Sequence, residues 1–128
     1  MNFVQTDKAP QAIGPYSQAV THGGLVYTSG QIALTPEGEM LGDDLEKQTH
    51  QVLKNLTEVL KEAGSDLDQV IKTTIFLADM DSFLKVNEIY ASYFGEHKPA
   101  RATVAVKTLP KNALVEIDAI AVVTGYSY

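Results

Sequence analysis

The chain contains no cysteine. That removes disulfides, thiolate metal sites and a cysteine nucleophile, and it agrees with a reducing compartment. It has no apolar run long enough for a membrane span. Its first residues, MNFVQTDKAP, supply neither the basic nor the apolar region of a signal peptide, so the cytoplasm is the expected location. A basic surplus is also missing: formal net charge is -6, and the lysines are scattered, many beside acids at helical spacing. Nucleic-acid binding ordinarily rests on a basic patch, so that role is disfavoured. The GxGxxG and P-loop patterns do not occur. His22, His50 and His97 stand alone, with no second ligand one helical turn away, so no metal site is expected. Ser17 and Ser29 have no His–Asp partners nearby in sequence, and nothing suggests a triad.

What is present is enough for a packed core. The 128 residues fit one domain, 1–128, and 45% are hydrophobic, which argues against disorder. From Leu45 the positions Leu45, Thr49, Val52, Leu53, Leu56, Val59, Leu60 and Ala63 hold a 3.6-residue period for about five turns. Asp43, three residues before Glu46, reads as a capping box, and Gly64 as the residue that ends the helix. The opposite face, Lys47, Lys54, Glu58, Lys61 and Glu62, is a solvated one. A second helix opens near Asp81 or Ser82 and closes at Gly95. Its stripe is Phe83, Val86, Ile89, Tyr90, Tyr93 and Phe94, with Asn87 at the edge.

Strands are predicted over Leu25–Ile32, Val70–Leu77, Arg101–Lys107 and Leu114–Val123, with a shorter one near Tyr16–Val20. His22-Gly23-Gly24 reads as a tight hairpin. The short link Leu109–Asn112 suits antiparallel pairing of the last two strands. The fold class is therefore α+β, one sheet with two helices on one face. In the last strand Val115, Ile117, Ala119, Ala121 and Val123 form an apolar face for the helices. The other face, Leu114, Glu116, Asp118, Ile120 and Val122, is half apolar, more than a solvated sheet face should be. With no element left to cover it, a second copy of the chain is the expected cover.

A small polar set remains in this apolar setting: Tyr16, Ser29, Asn87, Arg101 and Glu116. Each has a plain reading as a turn aromatic, a bulge before Gly30, a helix surface residue, a solvated strand start and an edge-strand acid.

Together with their surroundings they resemble something more specific. AIGPYSQAV, VYTSGQI, VIKTTIFLADM, FLKVNEIYASYF, KPARATV and LPKNALVEIDAIAV occur in the order found in the RidA (YjgF) family of reactive-intermediate deaminases. The resemblance runs from Asp7 to about Val123. It implies a chorismate-mutase-like sheet with two helices on one side, and a homotrimer whose sheets join in a barrel-like core with clefts between subunits. It also implies hydrolysis of enamines and imines, such as 2-aminoacrylate or 2-iminobutanoate, to 2-keto acids and ammonia, with no cofactor and no metal. These small substrates arise from pyridoxal-phosphate-dependent dehydratases. Residue by residue, Arg101 matches the arginine that grips the substrate carboxylate, and Glu116 the glutamate beside the attacking water. Tyr16, Ser29 and Asn87 match positions lining the cleft. Gly30 and the main chain of Thr103 match backbone contacts. Thr103 departs from the family, where many members have cysteine, and the ending Thr124–Tyr128 matches no family pattern. A trimer that binds small metabolites without turning them over, or an RNA-directed activity, would use the same scaffold.

Overall fold

A computed structural model describes residues 1–124; the rest of the unassigned ending, Gly125–Tyr128, lies outside the described residues. One six-stranded sheet carries two α-helices. The strands are β1 (Asn2–Val4), β2 (Ala19–His22), β3 (Leu25–Thr28), β4 (Val70–Leu77), β5 (Ala100–Ala105) and β6 (Val115–Val122). The helices are α1 (Leu45–Glu62) and α2 (Phe83–Phe94). Strand order is β1-β2-β3-β6-β4-β5, antiparallel throughout except for the parallel pair β4–β5. No helix among the described residues is long and apolar enough to cross a membrane.

The α+β expectation holds, and β4 falls on the expected residues. Helix α1 buries Thr49, Val52, Leu53, Leu56, Val59 and Leu60, the face its period marks out, and leaves Lys47, Lys54, Lys61 and Glu62 in solvent. Its cap is Asp44 rather than Asp43: the Asp44 carboxylate accepts from the Lys47 amide at 3.1 Å, so the satisfied donor lies one position later than the capping-box reading placed it. Gly64 takes φ +86, as a helix-ending glycine should. Between β2 and β3, Gly23 and Gly24 both have positive φ, the turn that matches strand twist.

Three strand expectations are corrected. Tyr16 lies in a loop rather than a strand, because the chain folds back at Gly14-Pro15, where the Tyr16 amide donates to Gly14 O at 2.9 Å. The third strand ends at Thr28 instead of Ile32; at Ser29-Gly30 pairing lapses, and Gln31 rejoins β6 through a single bridge to Ile117. And β5 does not pair with β6. Helix α2 carries the chain over the sheet so that β5 returns parallel to β4 at the sheet edge, and β6 then inserts between β3 and β4. The short link before β6 holds a turn in which Lys111 and Asn112 both adopt left-handed backbone.

Both helices pack on one face. Val115, Ile117, Ala119 and Ala121 of β6 are buried against them with Val26, Ile75 and Leu77. Burying β6's four apolar side chains takes several hundred Å² out of water, at roughly 25 cal/mol per Å². On the opposite face Phe3, Val20, Tyr27 and Ile120 form one continuous cross-strand row. Phe3 and Tyr27 are exposed there, with Val104 and Val122 farther along.

Candidate functional site

The two faces divide the polar residues into two groups. Arg101, near the start of β5, stands opposite Thr73 in β4, and its side chain turns toward α2. Its Nη1 donates to Asn87 Oδ1 at 2.7 Å. Its Cζ lies 5.1 Å from the Tyr90 ring centroid and 5.6 Å from that of Phe83. All three partners are on α2, so the guanidinium belongs to the helix face. A planar cation placed over aromatic rings within cation–π distance and held by a neutral amide oxygen keeps the rest of its fork for an anion. A cavity of about 470 Å³ opens beside it, lined by Asn87, Tyr90, Phe94, His97, Lys98 and Arg101. Thr103, two residues on and on the same face, has its hydroxyl oxygen buried without a hydrogen-bond partner.

Glu116 stands on the other face. In β6 it alternates with the buried Val115 and Ile117, and it is paired with Phe76 of β4, whose other neighbour is Val104. Arg101 lies in a different row, Arg101–Thr73–Ala119. Within one chain the two charged groups therefore point to opposite sides of the sheet.

Gly30 and Tyr16 gather around Glu116, while Ser29, next to Gly30 in the chain, lines a separate hollow with Tyr16 and Tyr27. Gly30 is packed so tightly on it that a Cβ there would come within 2.3 Å of Glu116 Oε2. Glu116, Gly30 and Tyr16 line a cavity of about 310 Å³ whose other walls include Ile13, Gln31 and Ile32. Ser29 donates to Ser17 O, and its amide to Gln18 O at 2.9 Å. Burial pushes the Glu116 carboxyl above the ordinary range, and the like charge of Asp118, two residues on, adds to it. Asp118 is itself raised by burial, which outweighs the opposing hydrogen bonds from Thr74 and the charge of Lys72.

Several residues that shape the site carry no mark in the sequence. Gln18 is 2% exposed; its Oε1 accepts from Thr6 N at 2.7 Å, and its Nε2 donates to Pro10 O at 2.8 Å and Thr6 O at 3.0 Å. It fixes the N-terminal segment that forms one wall of the Glu116 cavity. Asn55 of α1 donates to Ile32 O and Leu34 O, holding the next wall. Such contacts join segments remote in sequence, and only the last residues of the AIGPYSQAV motif hint at Gln18.

Of the histidines, His50 Nδ1 meets Tyr93 OH at 2.8 Å and His97 Nε2 meets Val70 O at 2.6 Å, while His22 is exposed in its hairpin. Among the described residues no cluster of three or more His, Cys, Asp or Glu is placed to hold a metal ion.

Comparison with known proteins adds names to this geometry. Residues 6–123 match the family model described as Endoribonuclease L-PSP. A RutC family protein of Pyrococcus abyssi is 49% identical over 91% of this chain and 92% of its own length. The 2-iminobutanoate/2-iminopropanoate deaminase of Mus musculus is 51% identical over 93% of this chain and 89% of its own. The crystal structure of E. coli TdcF with bound serine superposes with a TM-score of 0.90 at 40% identity, covering 95% of this chain and 98% of that one.

Proposed function

The chain belongs to the Endoribonuclease L-PSP (YjgF/RidA) family, and from that premise we propose that it is a hydrolase of C–N bonds that converts 2-iminobutanoate, 2-iminopropanoate and the tautomeric 2-aminoacrylate to 2-keto acids and ammonia. The names of its deaminase relatives and the bound amino acid in TdcF support this reading. The observation that carries it is the division of charge across the sheet. An arginine ready for a carboxylate and a glutamate of raised basicity lie on opposite faces of one chain. They form one site only when Arg101 and Asn87 of one copy face Tyr16, Ser29, Gly30 and Glu116 of the next. As the family resemblance implies, the active unit is a homotrimer of single domains, its open sheet faces joined in a barrel-like core and its clefts between subunits. The exposed row Phe3–Val20–Tyr27–Ile120 is part of the surface such an assembly would cover.

In the cleft, Arg101 binds the substrate carboxylate in its planar fork, and the main chain at Gly30 and Thr103 completes the cradle. Glu116 takes a proton from water as the oxygen adds to the C=N carbon and passes it to the nitrogen, giving a neutral carbinolamine. It then takes the hydroxyl proton and delivers it to the amine as the C–N bond breaks, so that the ketone forms, ammonia leaves and the carboxylate is regenerated. Tyr16 and Ser29 orient the water and the imine nitrogen. This chemistry requires neither a metal nor an organic cofactor. An acidic chain of net charge -6 is poorly matched to RNA as substrate.

The test is keto-acid release from 2-aminoacrylate generated by a dehydratase, beside a mass measurement by light scattering. Arg101→Ala and Glu116→Gln should each be nearly inactive trimers. Refolded together in equal amounts they should regain activity, because about a quarter of the clefts in a random ring of three would pair an intact Arg101 with an intact Glu116. A monomer mass, or no recovery on mixing, refutes the shared cleft. Carboxylate binding by the wild type without turnover would move the protein to the small-metabolite-binding class.

A further inference from the structure

Arg101 is exposed at a sheet edge, where a long side chain ordinarily samples many rotamers. Here its surroundings close a circuit. Thr73 is the β4 neighbour of Arg101 in the parallel ladder. The Thr73 hydroxyl, 1% exposed, meets the Tyr90 hydroxyl at 2.8 Å. The Tyr90 ring, 6% exposed, returns to the Arg101 guanidinium at 5.1 Å. Tyr90 cannot swing away, because it stacks on Phe94 with centroids 4.3 Å apart and planes 20° from parallel. Asn87, one turn earlier on α2, holds one nitrogen of the same guanidinium.

We propose that Tyr90, anchored by Thr73, is a positioning residue for Arg101: it fixes the plane of the guanidinium so that the free edge of the fork, rather than its face, meets a ligand carboxylate. This rests on the carboxylate-clamp reading of Arg101 given above. A stacked guanidinium gives its π face to the ring and keeps its in-plane N–H groups for a carboxylate. The Tyr90 hydroxyl stays protonated at neutral pH, since burial pushes its pKa up against the lowering effects of Thr73 and Arg101, and it can therefore serve as a fixed hydrogen-bonding end.

The experiment measures acid preference by calorimetry, as the affinity for 2-oxobutanoate relative to the uncharged 2-oxobutanamide. Wild type should prefer the acid. Tyr90→Leu keeps an apolar filler but removes the ring, and should weaken acid binding about 3- to 30-fold while amide binding stays the same. Tyr90→Phe keeps the ring and loses the tether to Thr73; its acid preference should fall between the two. Each variant is checked for trimer mass and melting temperature. A folded Tyr90→Leu with wild-type acid preference, or one that loses acid and amide binding equally, overturns the inference and leaves Tyr90 a core aromatic. Should Tyr90→Leu not fold, Tyr90→Phe and Thr73→Val decide, and unchanged acid preference in both overturns it. Wild type without acid preference removes the carboxylate clamp itself, and this inference with it.

Discussion

Substituting alanine for Gly30 tests whether the Glu116 carboxylate must sit where it does. The new Cβ would lie 2.3 Å from Glu116 Oε2, 2.8 Å from Cδ and 3.1 Å from Cγ. These atoms form the far end of a flexible side chain, so the clash is relieved by rotation of Glu116 rather than by backbone movement. Leaving a preferred rotamer costs about 0.5–1.5 kcal/mol, so the melting temperature should fall by only a few degrees. Function should respond differently. To reach ordinary van der Waals separation the carboxylate must retreat by about 1 Å, and a misplacement of that size costs on the order of 10²-fold in rate. Keto-acid release should therefore drop steeply in a trimer that remains folded. The control is the pair Gly30→Ala and Glu116→Gln combined. If the alanine acts only by displacing the carboxylate, it should add little once the base is gone. Wild-type turnover in Gly30→Ala would refute this reasoning, as would a full independent loss in the double variant.

Arg101→Lys keeps the charge but gives up the planar fork and the stacking on Tyr90 and Phe83, so saturation and turnover should both suffer while stability changes by no more than about 0.5 kcal/mol. Arg101→Ala should be worse, since a charge-assisted hydrogen bond is worth roughly 1.5–3 kcal/mol; substrate titrations beside thermal melts give both answers. If Glu116 acts as a base, turnover should rise as pH climbs through its raised pKa, and Asp118→Asn, by removing the neighbouring like charge, should move that acidic limb to lower pH. Folding raises the Glu116 pKa above its unfolded value. The linked stability is thus fully present below the ordinary carboxylate range and lost as pH rises through the raised value, and Glu116→Gln should remove its part of that slope in melts taken across pH.

Local pattern made much of this fold legible. The period from Leu45 marks the buried face of α1, the paired glycines mark the hairpin, and the alternation after Leu114 marks which side of β6 meets the helices. Non-local choices were not legible. A short link before β6 suggests a neighbour pairing, but the partner of β5 is set by α2 crossing the sheet, and no residue in the link encodes that. The three-residue β1 is too short to show a period. The site divides in the same way. Family motifs mark Arg101, Asn87 and Glu116, yet that Arg101 and Glu116 occupy opposite faces follows from the register of β5 and β6 against β4. Tyr90 and Thr73 meet only through tertiary packing, and in sequence each looks like an ordinary core or strand position.

The buried amide of Gln18 has a consequence for how a ligand gets in and out. The segment it holds contains Pro10, Gly14 and Pro15 and little regular structure, the composition from which active-site lids are often made. Yet four backbone groups of that segment, Thr6 N, Thr6 O, Ala9 O and Pro10 O, are bonded to a side chain 2% exposed. Opening it would strand those groups together with a buried amide, at a cost of roughly 1–3 kcal/mol for each left unsatisfied. Asn55 binds the neighbouring segment to α1 in the same manner. The walls around Glu116 thus behave as masonry rather than as a door. On the proposed reading of Glu116, selection among ligands would fall to the fixed shape of the aperture, and release of product would not wait on a hinge.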